Sequence, residues 1–308
     1  MADQDFIPAY LRIDPKELAA RASALRELMR ACSLCPRRCG ANRLAGEAGA
    51  CQVGAEPVVS SYGPHFGEEG PLVGRGGSGT IFLTYCNLKC IFCQNYDISH
   101  LGRGVKVTLA ALADMMVNLQ RRGCHNTNWV TPTHQAPMLV TALQTAANLG
   151  LRVPIVYNCG GYESLEILRL LDGIVDIYMP DAKYGENAAG QKLSGVPDYW
   201  DRNREALAEM HRQVGDLEMD RFGIARRGLL VRHLVLPNGL AGTAAVMEHL
   251  ASLSKSTYVN VMAQYRPEHG AWEAPDTGRP ITSAEFREAI ETATKAGLRR
   301  LDERWALR

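Results

Sequence analysis

Residues 79 to 97 read GTIFLTYCNLKCIFCQNYD: a β-branched and aromatic run that ends on three cysteines within eight residues, Cys86, Cys90 and Cys93. The run predicts a buried strand, and the cysteines fall where that strand stops. Further runs of the same kind follow at NTNWVTP (126 to 132), VPIVYNC (153 to 159), IVDIYMPD (174 to 181), LLVRHLVLP (229 to 237) and YVNVMAQY (258 to 265). Helical patterns stand between and after them, at 107 to 123, 135 to 150, 163 to 173, 199 to 215, 243 to 254 and 283 to 297. Six strand-helix repeats predict a parallel sheet with helical crossovers. Its strands are continuous apolar runs because both faces are covered.

Upstream, residues 16 to 31 have helical composition and lead into Cys32, Cys35, Cys39 and Cys51. Residues 40 to 78 are rich in glycine and proline and are expected to form turns rather than regular elements. The domain reading is therefore an appendage over 1–70, with a helix and a four-cysteine metal site, and an α/β body over 71–308 closed by a C-terminal helix. Two irregular insertions, 184 to 198 and 266 to 282, have the length of lids or partner surfaces.

The 308 residues are 46% hydrophobic and 22% charged, with 34 basic against 33 acidic side chains. That balance speaks against a sequence-independent nucleic-acid binder. No apolar window reaches membrane-helix length, and the leader MADQDFIPAY is polar, so the chain is expected to be cytoplasmic, with no membrane partner. In that compartment nine cysteines point to metal binding or catalysis rather than to disulfides.

The spacing C-x3-C-x2-C lets a tight loop present three thiolates to three irons of a cubane cluster, whereas zinc takes four protein ligands. Three thiolates leave one iron open. With Phe92 in the aromatic place, C-x3-C-x-aromatic-C resembles the signature of radical S-adenosylmethionine (SAM) enzymes. Gln94-Asn95, GSGTIF and CNLKC resemble the pyruvate formate-lyase activating enzymes, and especially their PflX-type homologues; the likeness runs from about Cys32 to Pro267.

The resemblance implies a partial (β/α)6 barrel that carries a 4Fe-4S cluster and S-adenosyl-L-methionine. Cys86, Cys90 and Cys93 would be its catalytic cluster ligands, with Phe92 and Asn95 beside the cofactor. Met179 to Lys183, MPDAK, resembles the D-x-K segment of the activating enzymes, which puts Asp181 and Lys183 next to SAM. Where such enzymes carry a G-G-E type segment, this chain has Val130-Thr-Pro-Thr-His134, so Thr131 and Thr133 are the candidates for the SAM side and His134 for the substrate side. After the third strand Asn158-Cys159-Gly160-Gly161 replaces an acid-Thr pair. There Asn158 is the candidate, and the glycines permit either close approach to a ligand or a tight turn.

Cys32, Cys35, Cys39 and Cys51 suit a closed structural zinc site, with a second iron-sulfur cluster as the alternative. His65 to Glu69, HFGEE, reads as a surface hydrogen-bonding cluster, with a substrate or cofactor loop as the alternative. Arg232-His233 reads equally as a substrate-orienting pair or a satisfied core pair. The function implied is a radical SAM enzyme with an external one-electron donor, acting on a glycyl radical enzyme or another protein substrate. A small-molecule or peptide substrate is the first alternative. The competing class is a non-catalytic iron-sulfur electron carrier, which should hold its cluster with four cysteines.

Overall fold

The computed structural model describes residues 6–302; Met1 to Asp5, part of the leader read as lacking an export signal, lie outside them. Ten strands occur among the described residues: β1 (Val58–His65), β2 (Ser78–Leu83), β3 (Val105–Lys106), β4 (Thr127–Val130), β5 (Ile155–Cys159), β6 (Ile177–Pro180), β7 (Glu218–Met219), β8 (Ala225–Leu234), β9 (Tyr258–Met262) and β10 (Arg300–Leu301). The helices are α1 (Pro15–Glu27), α2 (Gly70–Val73), α3 (Tyr96–Ser99), α4 (Leu109–Arg121), α5 (Ala136–Asn148), α6 (Leu165–Leu171), α7 (Asn187–Ser194), α8 (Tyr199–Val214), α9 (Thr243–Leu253) and α10 (Ser283–Lys295). The six expected strands are β2, β4, β5, β6, β8 and β9, which neighbour one another in that order and pair in parallel. The fold is α/β with a mostly parallel central sheet.

Each strand sorts its residues between two cores. Tyr157, Tyr178 and Val231 join Leu112, Met116, Leu143, Leu168, Met210 and Leu250 beneath the helices. Their chain neighbours Val156, Ile177 and Leu230 join Leu72, Met179 and Leu217 in a separate inner cluster. Successive strand residues face opposite sides, so two cores require a sheet covered on both faces. The inner one is enclosed because the sheet curls: Glu69, which follows β1 on one flank, accepts a hydrogen bond from Asn260 of β9 on the other.

Local chemistry sets the helix starts. Asp14 caps α1 through Lys16 N with Pro15 in the first turn, Thr108 caps α4, and Thr282 with Glu285 forms a capping box on α10. Helix α1 packs against α5 and α6, and Tyr10, Leu18 and Leu25 share the outer core.

Two expectations need correction. Residues 40 to 78 contain regular structure: β1 pairs antiparallel with β2, and α2 follows. Val58-Val59-Ser60-Ser61-Tyr62 has strand chemistry, but no helical crossover joins it to β2, so it falls outside the strand-helix rhythm. The insertion 184 to 198 holds α7, a short helix of weak apolar period that stops at Gly195 in the left-handed region. Among the described residues no helix is long and apolar enough to cross a membrane.

Candidate functional site

The loop after β2 is strained and tied down. Tyr85 and Lys89, on either side of Cys86, take φ values of 68° and 60°, and Thr131 after β4 takes 61°. Side chains avoid that region at a cost of about 1–3 kcal/mol each, and such strain concentrates where function requires it. Arg37 donates to the carbonyls of Asn87, Leu88 (3.1 Å) and Ser194 (3.2 Å), while Asn87 Nδ2 donates to Tyr162 O at 2.9 Å. Gly160 leaves room for Leu88, whose Cδ1 would lie 2.6 Å from a Cβ placed there.

Each of the three thiols has a hydrogen-bonding neighbour. Leu88 N donates to Cys86 Sγ at 3.4 Å, Ser194 Oγ donates to Cys90 Sγ at 3.0 Å, and Ser99 Oγ lies 3.0 Å from Cys93 Sγ. Burial pushes the Cys86 thiol up to about 12 and raises Cys93 as well, against the pull of Ser99 and Lys183. Groups so far from ionisation at neutral pH are poor nucleophiles. Donors placed at sulfur stabilise it once it is anionic, as a metal-bound thiolate is.

Beside the loop lies a buried ion network. Lys183 Nζ is 2.5 Å from Asp181 Oδ2, Arg232 Nε donates to Asp181 Oδ1 at 2.8 Å, and Arg232 Nη2 donates to Asn158 Oδ1 at 2.7 Å. Burial opposes the charge on Asp181, yet Arg232 and Lys183 outweigh it and hold the carboxyl below the usual range. Burial likewise opposes the Lys183 charge, and the fields of Asp181 and Cys90 reverse that effect, which ties the network electrostatically to the cysteine loop. Three charges out of water are tolerated only when mutually paired, as here. Tyr199 fixes the backbone: its hydroxyl accepts from Lys183 N at 3.0 Å and lies 2.9 Å from Gly160 O.

Other candidates lie elsewhere. Phe92 is buried, edge-on to Tyr184 and Tyr265, and Asn95 is exposed at the start of α3. Thr133 and His134 turn into the core: Thr133 Oγ1 donates to Glu163 at 2.7 Å, and His134 Nε2 meets Thr84 O at 2.8 Å. Burial holds His134 down at about 4, so it is neutral. Thr131 donates its backbone N–H to Asn158 O. Gly161 lies against Asp181 O, which a Cβ would approach to 2.1 Å, so this glycine serves chain packing. His233 is a satisfied core residue, bonded to Ala182 O and Thr243 Oγ1, whereas Arg232 faces the charged network. The HFGEE acids, favoured as a surface cluster, are instead buried, Glu68 at 7% and Glu69 at 4% exposure.

Cys32, Cys35, Cys39 and Cys51 gather in one patch: Cys39 bonds to Cys32, and Cys35 and Cys51 each feel Cys32. Among the described residues no three His, Cys, Asp or Glu side chains are arranged around a single metal ion. Zinc needs its thiolates about 2.3 Å from one centre, so the four thiols do not fit it. A cubane gives each thiolate its own iron, and three thiols with separate hydrogen-bonding neighbours in one loop do fit that group. Arg37, Ser99, Ser194, Tyr199 and Glu163 had not been singled out from the sequence. Only Arg37, inside CPRRC, carried a local signal.

A family model described as the radical SAM superfamily matches residues 80–219. The uncharacterized protein MJ0674 of Methanocaldococcus jannaschii is 33% identical over 296 residues, covering 93% of this chain and 81% of the relative. The crystal structure of methylornithine synthase (PylB) aligns with a TM-score of 0.46 and 13% identity over 95% of this chain and 79% of that one. The matched span contains the cysteine loop, Asn158, Asp181 and Lys183. Residues 80–219 are a radical SAM superfamily domain, a superfamily whose chemistry is the cleavage of SAM at a 4Fe-4S cluster.

Proposed function

We propose that Cys86, Cys90 and Cys93 hold the 4Fe-4S cluster and that SAM lies between this loop and the Lys183–Asp181–Arg232 network. The observation that carries the reading is the supply of hydrogen-bonding neighbours to all three sulfurs, two of which, Cys90 and Cys93, lie within reach of the Lys183 charge. When bound, cluster and SAM supply reductive cleavage and a hydrogen-abstracting radical. The chain's own residues orient and shield. Lys183 offers a cation to a carboxylate or ribose, Asn158 and Asp181 hold Arg232 in place, and Phe92 with Tyr184 and Tyr265 builds an apolar wall that excludes water.

We infer a small molecule or peptide side chain as substrate, rather than a glycyl radical partner. The supporting observation is that the charged side chains Asp181, Arg232, Glu68 and Glu69 pair with one another across the curled sheet rather than on an exposed protein-docking face. At Cys32, Cys35, Cys39 and Cys51 we infer a second iron-sulfur cluster in an N-terminal appendage, because the thiols gather without closing on one ion. The test is the full chain, reconstituted anaerobically and given SAM and dithionite as electron donor. It should release 5′-deoxyadenosine and methionine; a fully iron-loaded protein that cleaves no SAM overturns the reading.

A further inference from the structure

The ion network does not stop at Arg232. On the side away from Asp181, Arg232 Nη1 lies 4.0 Å from Glu68 Oε2. Next in the chain, Glu69 accepts from Asn260 Nδ2 at 3.0 Å. From the cysteine loop inward, basic and acidic side chains alternate: Lys183, Asp181, Arg232, then the two acids Glu68 and Glu69. His65 Nδ1, 3.5 Å from Glu68 Oε1, is a further basic group nearby, and its ring is 44% exposed.

The inner end is incomplete as a set of hydrogen bonds. Glu69 Oε2 and Asn260 Oδ1 are buried atoms with no hydrogen-bond partner, although the residues are only 4% and 2% exposed. Buried acceptors are nearly always satisfied, and an unsatisfied one is costly. Burial raises the Glu69 carboxyl even though Arg232 pulls it down. The Asn260 oxygen is an independent sign, since an amide acceptor asks for a donor whatever its neighbour's charge. A group that carries both positive charge and N–H donors completes the alternation and both acceptors together.

We propose that Glu69 and Asn260 bind a cationic N–H donor, an ammonium or guanidinium group of the substrate. That group anchors the substrate inside the curl beside Arg232, which Asn260 faces in register across β8 and β9. The proposal names the substrate class of the site described above and rests on that reading of it.

Anaerobically reconstituted full-length protein with SAM is titrated with n-butylamine, n-butanol and n-butyrate, and binding is followed by saturation-transfer NMR. Butylamine should bind about tenfold or more tighter than butanol, the margin of a charge-assisted hydrogen bond, and butyrate should not bind. Glu69→Gln should abolish that preference. Equal binding of amine and alcohol to the wild type, binding of none of the three, or an undiminished preference in Glu69→Gln overturns the proposal. The wild-type comparison stands even if the variant misfolds. Release of 5′-deoxyadenosine by the wild type without amine is scored separately: amine preference without SAM cleavage sinks only the proposed function, and cleavage without amine preference sinks only this inference.

Discussion

The two cysteine-rich regions are alike in sequence and unlike in construction. Burial pushes Cys35 and Cys86 each up to about 12. At the Cys86 loop, however, a hydrogen bond reaches Cys90 from Ser194, 104 residues away, and the backbone is pinned by Arg37 from the other region. At the N-terminal patch support is local: backbone N–H groups near Ala41 and Ala50 hold Cys39 down despite burial, and Arg43 donates to Gly54 O at 2.8 Å. One site is assembled by the tertiary fold and opens on a charged network. The other is held by its own turns. The difference separates a site built by the whole fold from one built by its own segment.

The largest effect should come from emptying each region in turn. Alanine at Cys86, Cys90 and Cys93 together is expected to abolish SAM cleavage and remove the iron of that loop, read by iron analysis and product chromatography. Alanine at Cys32, Cys35, Cys39 and Cys51 should instead lower the thermal midpoint and remove the second complement of iron, since a metal that organises a segment contributes folding energy. One zinc per chain lost from the latter would restore the zinc reading.

Glu163 lies near the N-terminal region, close enough to act on Cys35 while it bonds to Thr133 and Tyr157. Burial pushes its carboxyl up to about 7 from 4.5, so the folded chain holds a proton that the unfolded chain releases. The stability this contributes is fully present below about pH 4.5 and is lost as pH rises through 7. Glu163→Gln should therefore flatten the decline by about 2.5 kcal/mol between pH 5 and 8, measured by urea unfolding at both. An unchanged slope would mean that Glu163 ionises freely.

The smallest effect sharpens the contrast in hydrogen bonding. Ser194→Ala deletes the donor to Cys90 Sγ, worth about 1 kcal/mol in a typical hydrogen bond. The reduction potential of the loop's cluster should fall by about 40 mV, read by spectroelectrochemistry, while the N-terminal centre stays put. A shift in both would show that they are electronically one unit.

Much of the fold was legible because the signals were long or repeated. GTIFLTY, VPIVYNC and YVNVMAQY became β2, β5 and β9, and the helix from 199 to 215 became α8 nearly to the residue. Strand β1 was hidden among glycines, since its partner is reached without a crossover. At the site, Asp181 and Lys183 could be found because charges at the end of a buried apolar strand demand partners. Ser194 could not, because nothing within a short insertion says that its hydroxyl will meet Cys90.

The sequence by itself determined the parallel α/β order and the three-thiol loop at a strand's end. Those follow from period, spacing and burial, all local properties of the chain. Only the tertiary structure decided that Thr133 and His134 turn inward, that Arg232 joins Asp181 to the acids of HFGEE, and that Glu69 and Asn260 share one buried recess. Glu69 and Asn260 are 191 residues apart, and only the curl of the sheet brings its two flanks together.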